Sequence, residues 1–161
     1  MLKKCERCGK EFDARDPKHK TCQQCFRERG YIPEELLLHS YYNSKGNLVE
    51  EIFIGVPERL AGIFHYDGLK NTQARYFYNK ALQAKEIALR KEFDSARPIL
   101  NECIPEMKGK LNRGVKGFTQ SFANFLTHHL SSVKDERALE AFHKHLKSVL
   151  DYLPREKKEE R

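Results

Sequence analysis

The chain has 161 residues, 33% of them charged and 39% hydrophobic, with a formal net charge of +7 and a mean hydropathy of −0.75. That length allows one domain, or a small module joined to a modest one, and no stretch approaches the roughly 18 continuous apolar residues of a membrane span. The opening Met1-Leu2-Lys3-Lys4-Cys5 lacks the apolar core of a signal peptide, so the expectation is a cytoplasmic protein with no membrane partner.

In a reducing compartment, five cysteines of which four pair at short spacing point to metal rather than disulfides. The pattern is C-x2-C-x13-C-x2-C, formed by Cys5, Cys8, Cys22 and Cys25. Each pair can take two adjacent corners of a tetrahedron, and the intervening loop brings the pairs together. The sequence therefore predicts a zinc ribbon over residues 1–30 that holds one Zn²⁺. Four thiolates leave no open position for water, so the expected site is structural, and His19 is not needed as a ligand. Gly9 permits the tight knuckle turn, Asp16-Pro17 marks a loop, and Phe12 and Phe26 are the expected apolar cover.

Residues 31–69 read as an adaptor. Asn43-Ser44-Lys45-Gly46-Asn47 is a clear turn, and either a hairpin or two short helices fits residues 34–54. Pro57 suits the first turn of a helix with Leu60, Ile63 and Phe64 on its apolar face, ended by Asp67-Gly68.

Residues 70–154 read as a small helical bundle, making the fold class mainly α. Thr72 is the expected N-cap of a helix with Ala74, Phe77, Ala81, Ala84 and Ala88 on its apolar face. Pro98 limits where the next helix can begin, and Gly109 is expected to break it. Cys103, beside Ile99, Leu100 and Ile104, reads as a small core residue rather than a reactive thiol. Phe118, Phe122, Phe125, Leu126, His129, Leu130 and Val133 follow at helical spacing. Ser132 or Asp135 can cap a last helix with the stripe Leu139, Phe142, Leu146, Val149, Leu150 and Leu153, stopped by Pro154. Residues 155–161 form a charged tail, expected to fray.

Charge is unevenly spread: residues 1–30 carry +4, residues 31–68 carry −4, residues 69–116 carry +6, and the remainder is nearly balanced. A basic block beside an acidic one suits a face for phosphates, although a merely solvated helix surface has the same composition.

The run Thr72-Gln73-Ala74-Arg75-Tyr76-Phe77-Tyr78 resembles the opening helix of the small helical subunit of type III-A CRISPR effector complexes, the Csm complexes. Leu100, Pro105 and Arg113 are similar in spacing to the family's next helix, and Phe142, Leu146, Val149 and Tyr152 to its last. The resemblance covers about residues 70–153 and leaves the cysteine module and adaptor outside it. It implies a non-catalytic bundle that stacks in several copies along an effector, beside other Csm-like subunits, and contacts the guide–target duplex or target RNA. Carried to this chain, it makes Arg75 and Arg113 the leading RNA contacts. Lys108, Lys110 and Lys116 join them as near neighbours in sequence. Neither Arg nor Lys on a phosphate reads base identity, which suits a subunit that must accept any guide. An internal salt bridge from Arg75 to Glu102 or Glu106 is the competing expectation.

Two other functions fit parts of the sequence. A free-standing zinc-ribbon adaptor for nucleic acid or protein would use the cysteines alone. A small helical ribonuclease would pair Arg137 with His143, but six helical steps separate these residues by roughly 240°.

Overall fold

The computed structural model describes residues 1–155. Two short antiparallel strands, β1 (Leu2–Lys4) and β2 (Glu11–Asp13), open the chain, with Lys3 opposite Phe12. A five-residue helix, α1 (Gln23–Arg27), follows. Five longer helices build the body: α2 (Val56–Asp67), α3 (Asn71–Arg90), α4 (Phe93–Asn112), α5 (Gln120–Ser132) and α6 (Glu136–Tyr152). Among the described residues no helix is long and apolar enough to cross a membrane.

The bundle forms because each helix has one apolar face at helical spacing. The buried residues of α3 are Ala74, Phe77, Ala81, Ala84 and Ala88, as the sequence pattern predicts. Four alanines on that face let α4 and α6 pack close on either side. At the centre, Phe64 of α2 meets Phe122 and Phe125 of α5 edge-on, with ring centroids 5.3 and 5.4 Å apart. Phe77 joins them through Phe118 and Phe122. The stripe of α6 is buried except at Leu150, which is half-buried.

Caps and helix ends depart from the sequence reading in two places. Thr72 is not a cap: Lys70 takes that position, and its N–H bonds to the Gly117 carbonyl at 2.9 Å, which starts α3 earlier. Of the two residues offered as cap of the last helix, Asp135 takes the position by accepting from the Ala138 N–H, while Ser132 donates to the His128 carbonyl within α5. Thr119 caps α5 by accepting from the Phe122 N–H. The second departure is α4, which runs unbroken through Pro98, Pro105 and Gly109. Both prolines lie on its exposed face, seven residues apart, and Asp94 and Asn101, whose carbonyls lose their usual N–H partners, are exposed too, so water is at hand to replace them. Burial of Ala96, Leu100, Cys103 and Met107 on the opposite face holds the helix together.

Residues 34–54 are neither of the two expected forms in full. They make two single-turn 3₁₀ helices, Glu34–Leu36 and Glu50–Ile52, around one isolated bridge between Tyr42 and Leu48. This segment clamps the bundle. The Tyr42 hydroxyl donates to the Arg137 carbonyl, and the Arg137 guanidinium reaches back to the Gly46 carbonyl and lies over the Tyr42 ring at 4.2 Å. Ile32, Leu36, Tyr41 and Ile52 are buried in the same apolar cluster as the helices, and so are Cys5 and Cys8. The core therefore runs through the cysteine module, the adaptor and the bundle without a gap. Residues 156–161, most of the predicted charged tail, lie outside the described residues.

Candidate metal centre and basic surface

The first cysteine pair sits on the turn between β1 and β2. The Cys5 N–H bonds to the Lys10 carbonyl and the Gly9 N–H to the Cys5 carbonyl, closing the knuckle with Gly9 at φ +78°. The Cys8 N–H points at Cys5 Sγ from 3.5 Å. The second pair lies on a helix rather than on a second hairpin: Cys22 is the N-cap residue of α1 and Cys25 sits in its first turn. All four Sγ atoms lie within 4.8 Å of one another, so this cluster can hold a metal ion. Cys5 and Cys8 are buried, while Cys22 and Cys25 are half-buried.

Burial pushes the Cys8 and Cys25 thiols up. Burial acts on Cys5 too, but the backbone N–H groups of Cys8, Cys22 and Arg7 outweigh it, and its thiol comes down to about 7. The backbone thus favours the thiolate at Cys5, while at Cys8 and Cys25 burial leaves a bound cation to hold the charge.

Arg7, between the first two cysteines, ties the cluster to the bundle. Its guanidinium grips the Asp67 carboxylate at the end of α2 with two bonds of 2.8 and 2.9 Å, and a third N–H reaches Cys25 Sγ at 3.3 Å. The Arg7 side chain is 4% exposed. Arg59 of α2 donates to the Cys8 carbonyl, and the Asn124 amide of α5 donates to the Gly30 carbonyl. Sequence reading missed Arg7, because a lone arginine in a knuckle gives no sign of its partner 60 residues away.

The predicted basic block does not form one face. Gln73, Tyr76 and Lys80 turn towards α4, where they meet Lys110, Glu106 and Glu102. Arg75 lies two helical steps, about 200°, from Gln73, and Lys108 lies the same angle from Lys110. Arg75 and Lys108 therefore diverge from this seam, and both are exposed. Lys110 donates to Gln73 Oε1 at 2.8 Å and stands 5.0 Å over the Tyr76 ring. Arg113, the C-cap residue of α4, is exposed and folds its guanidinium back over Gly109. Lys116 is exposed in the turn before α5. Lys80, not Arg75, takes the ion pairs with Glu102 and Glu106.

The neighbouring aromatic side chains face different surroundings. Phe77 is core, as its helix face requires. Tyr76 has the Lys110 and Lys80 ammonium groups over its ring yet stays exposed, and Tyr78 stacks on His143 at 4.8 Å. Phe26, expected to cover the cysteine site, is 84% exposed. The five-residue α1 is held by its cysteine and has no buried face of its own, so its outward positions have nothing to pack on. Cys103 is buried, donates to the Ile99 carbonyl, and has its thiol pushed up to about 11 by burial.

No known protein family, characterised protein or solved structure matches this chain.

Proposed function

We propose that this chain is a non-catalytic, RNA-contacting structural subunit of a ribonucleoprotein of the Csm class, with one structural zinc ion in its N-terminal module. The observation that carries the RNA reading is the state of Arg75 and Arg113. Both are exposed, and neither takes part in an ion pair among the described residues, because Lys80 occupies the carboxylates that would neutralise Arg75. Free guanidinium groups at two positions of the Csm-like pattern suit phosphate binding without base recognition.

Zinc is favoured by the donor set. Four thiolates around Zn²⁺ at about 2.3 Å stand about 3.8 Å apart. Cys8 Sγ and Cys22 Sγ are already 3.8 Å apart. The nuclease reading lacks its pair: Arg137 is bound to Gly46 and Tyr42, while His143 is buried against Tyr78.

Binding of single-stranded RNA tests the proposal. With about three to five phosphate contacts, log Kd should change with log salt at a slope of roughly 2 to 3.5 and depend little on sequence. Arg75→Glu with Arg113→Glu should flatten that slope and leave the melting temperature nearly unchanged. Equal RNA binding by the double variant would exclude both arginines as contacts.

A further inference from the structure

Beside the Arg7–Asp67 contact, a cleft of about 560 Å³ opens between the cysteine module and the bundle. That volume is in the range of small-ligand sites, about 300–1,000 Å³. One wall is formed by residues 25–30 and the other by residues from 110–121, with Tyr66 and Asp67 at the end of α2 between them. Three features of this cleft are unexplained by folding. Phe26, 84% exposed, presents a bare ring at its edge, and Tyr66, 48% exposed, presents another. Arg27 and Arg29 line the same wall, exposed and without an ion pair among the described residues. Lys110 lines the opposite wall, where its bond to Gln73 uses one of three ammonium donors.

Arg7 and Asp67 neutralise each other, and Arg27, Arg29 and Lys110 face Glu28 and, through Cys25, the net −2 of a zinc ion held by four thiolates. The basic groups are therefore balanced in sum but set apart from the sulfurs, with Arg27 and Arg29 exposed. Aromatic rings with open faces, set among exposed guanidinium groups, are the chemistry that holds an unpaired base and its flanking phosphates. A base inside a duplex is stacked on both faces and offers none to Phe26.

We propose that this cleft binds one nucleotide of single-stranded RNA. The base stacks on Phe26, and Arg27, Arg29 and Lys110 hold the adjoining phosphates. The proposal rests on the RNA-contacting reading above and extends it to the cysteine module, which lies outside the Csm-like region. Lys110 lines the cleft and also bonds Gln73 in the seam between α3 and α4.

The test uses the full chain with its metal bound and a ten-nucleotide oligouridine carrying 4-thiouridine. Photo-crosslinks should map to the peptide that contains Phe26. Phe26→Ala should weaken binding about tenfold, and Phe26→Tyr should restore it. Arg27→Gln with Arg29→Gln should lower the salt slope by about 1.4. Phe26 is so exposed that its substitution leaves the fold intact, and an unchanged melting temperature verifies this. Full affinity in Phe26→Ala, with salt dependence retained, would overturn the cleft proposal and leave the RNA reading standing. Failure of the parent chain to bind RNA even at low salt would remove both.

Discussion

Acidification should strike the core between the clamp and α5–α6 through two buried histidines. His145 is 0% exposed, and its Nδ1 lies 2.9 Å from the Ile52 carbonyl, so Nδ1 carries the proton and Nε2 is a bare acceptor without a partner among the described residues. His129, also 0% exposed, bonds through Nδ1 to the Tyr41 hydroxyl at 2.7 Å, and its Nε2 likewise has no partner among them. Burial lowers His145 from 6.5 to about 4, and the His129 imidazole is held down first by burial, then by the nearness of His145 and His128. The unfolded chain takes up a proton near 6.5, whereas the native one resists until about 4. The native state is therefore fully favoured above 6.5 and loses stability as pH falls through that window. For His145 alone, a fall from pH 7 to pH 4 costs about 3 kcal/mol, at 1.36 kcal/mol per pH unit, and His129 adds to it. Urea titrations followed by helical circular dichroism at each pH measure this. His145→Gln keeps an N–H donor for Ile52 but cannot titrate, so the parent should lose about 3 kcal/mol more than the variant over that range. Thiol protonation and metal loss affect both chains alike and cancel in the comparison. Equal losses would show that His145 becomes charged without leaving its site, and the reasoning would fail.

Elemental analysis should find one zinc per chain, and Cys25→Ser should lose it while most of the helical signal persists. Asp67→Ala strands the buried Arg7 guanidinium and should cost about 2–3 kcal/mol in chemical denaturation, with metal affinity down about tenfold. Gly30 has φ +80°, and a Cβ there would come within 2.5 Å of the Gln120 side chain. Gly30→Ala should therefore cost about 1–3 kcal/mol and open the adjacent chain to limited proteolysis, with metal content unchanged.

What could be read in advance was whatever depends on local period. The α3 and α6 stripes and the Cys5–Cys25 spacing each encode their geometry within a few residues. Wherever a distant partner decides, sequence alone was silent. Thr72 yields its cap because Gly117 receives the Lys70 N–H. Pro98 and Gly109 do not end α4, because tertiary burial of Ala96, Leu100, Cys103 and Met107 outweighs their local penalty. The basic block looked like a single surface by count, yet two helical steps send Arg75 and Lys108 away from Lys110. Arg27 and Arg29 were hidden within the cysteine module because their setting depends on how α1 docks over residues 110–121. Exposure of Phe26 was missed for the same reason: an aromatic beside a cysteine reads as cover until the helix that carries it is seen to have no buried residues.

The two prolines of α4 also bear on assembly. The carbonyls of Asp94 and Asn101 each lack the N–H partner that a residue other than proline at 98 or 105 would supply, along the outer ridge of the bundle. A neighbour that packed dry against this ridge would strip water from two acceptors and return nothing, at a cost of roughly 1–3 kcal/mol for each. Copies of the chain stacked in a filament must therefore leave this side wet, or bring hydrogen-bond donors to it. The ridge thus narrows the faces through which this bundle can be buried against another molecule.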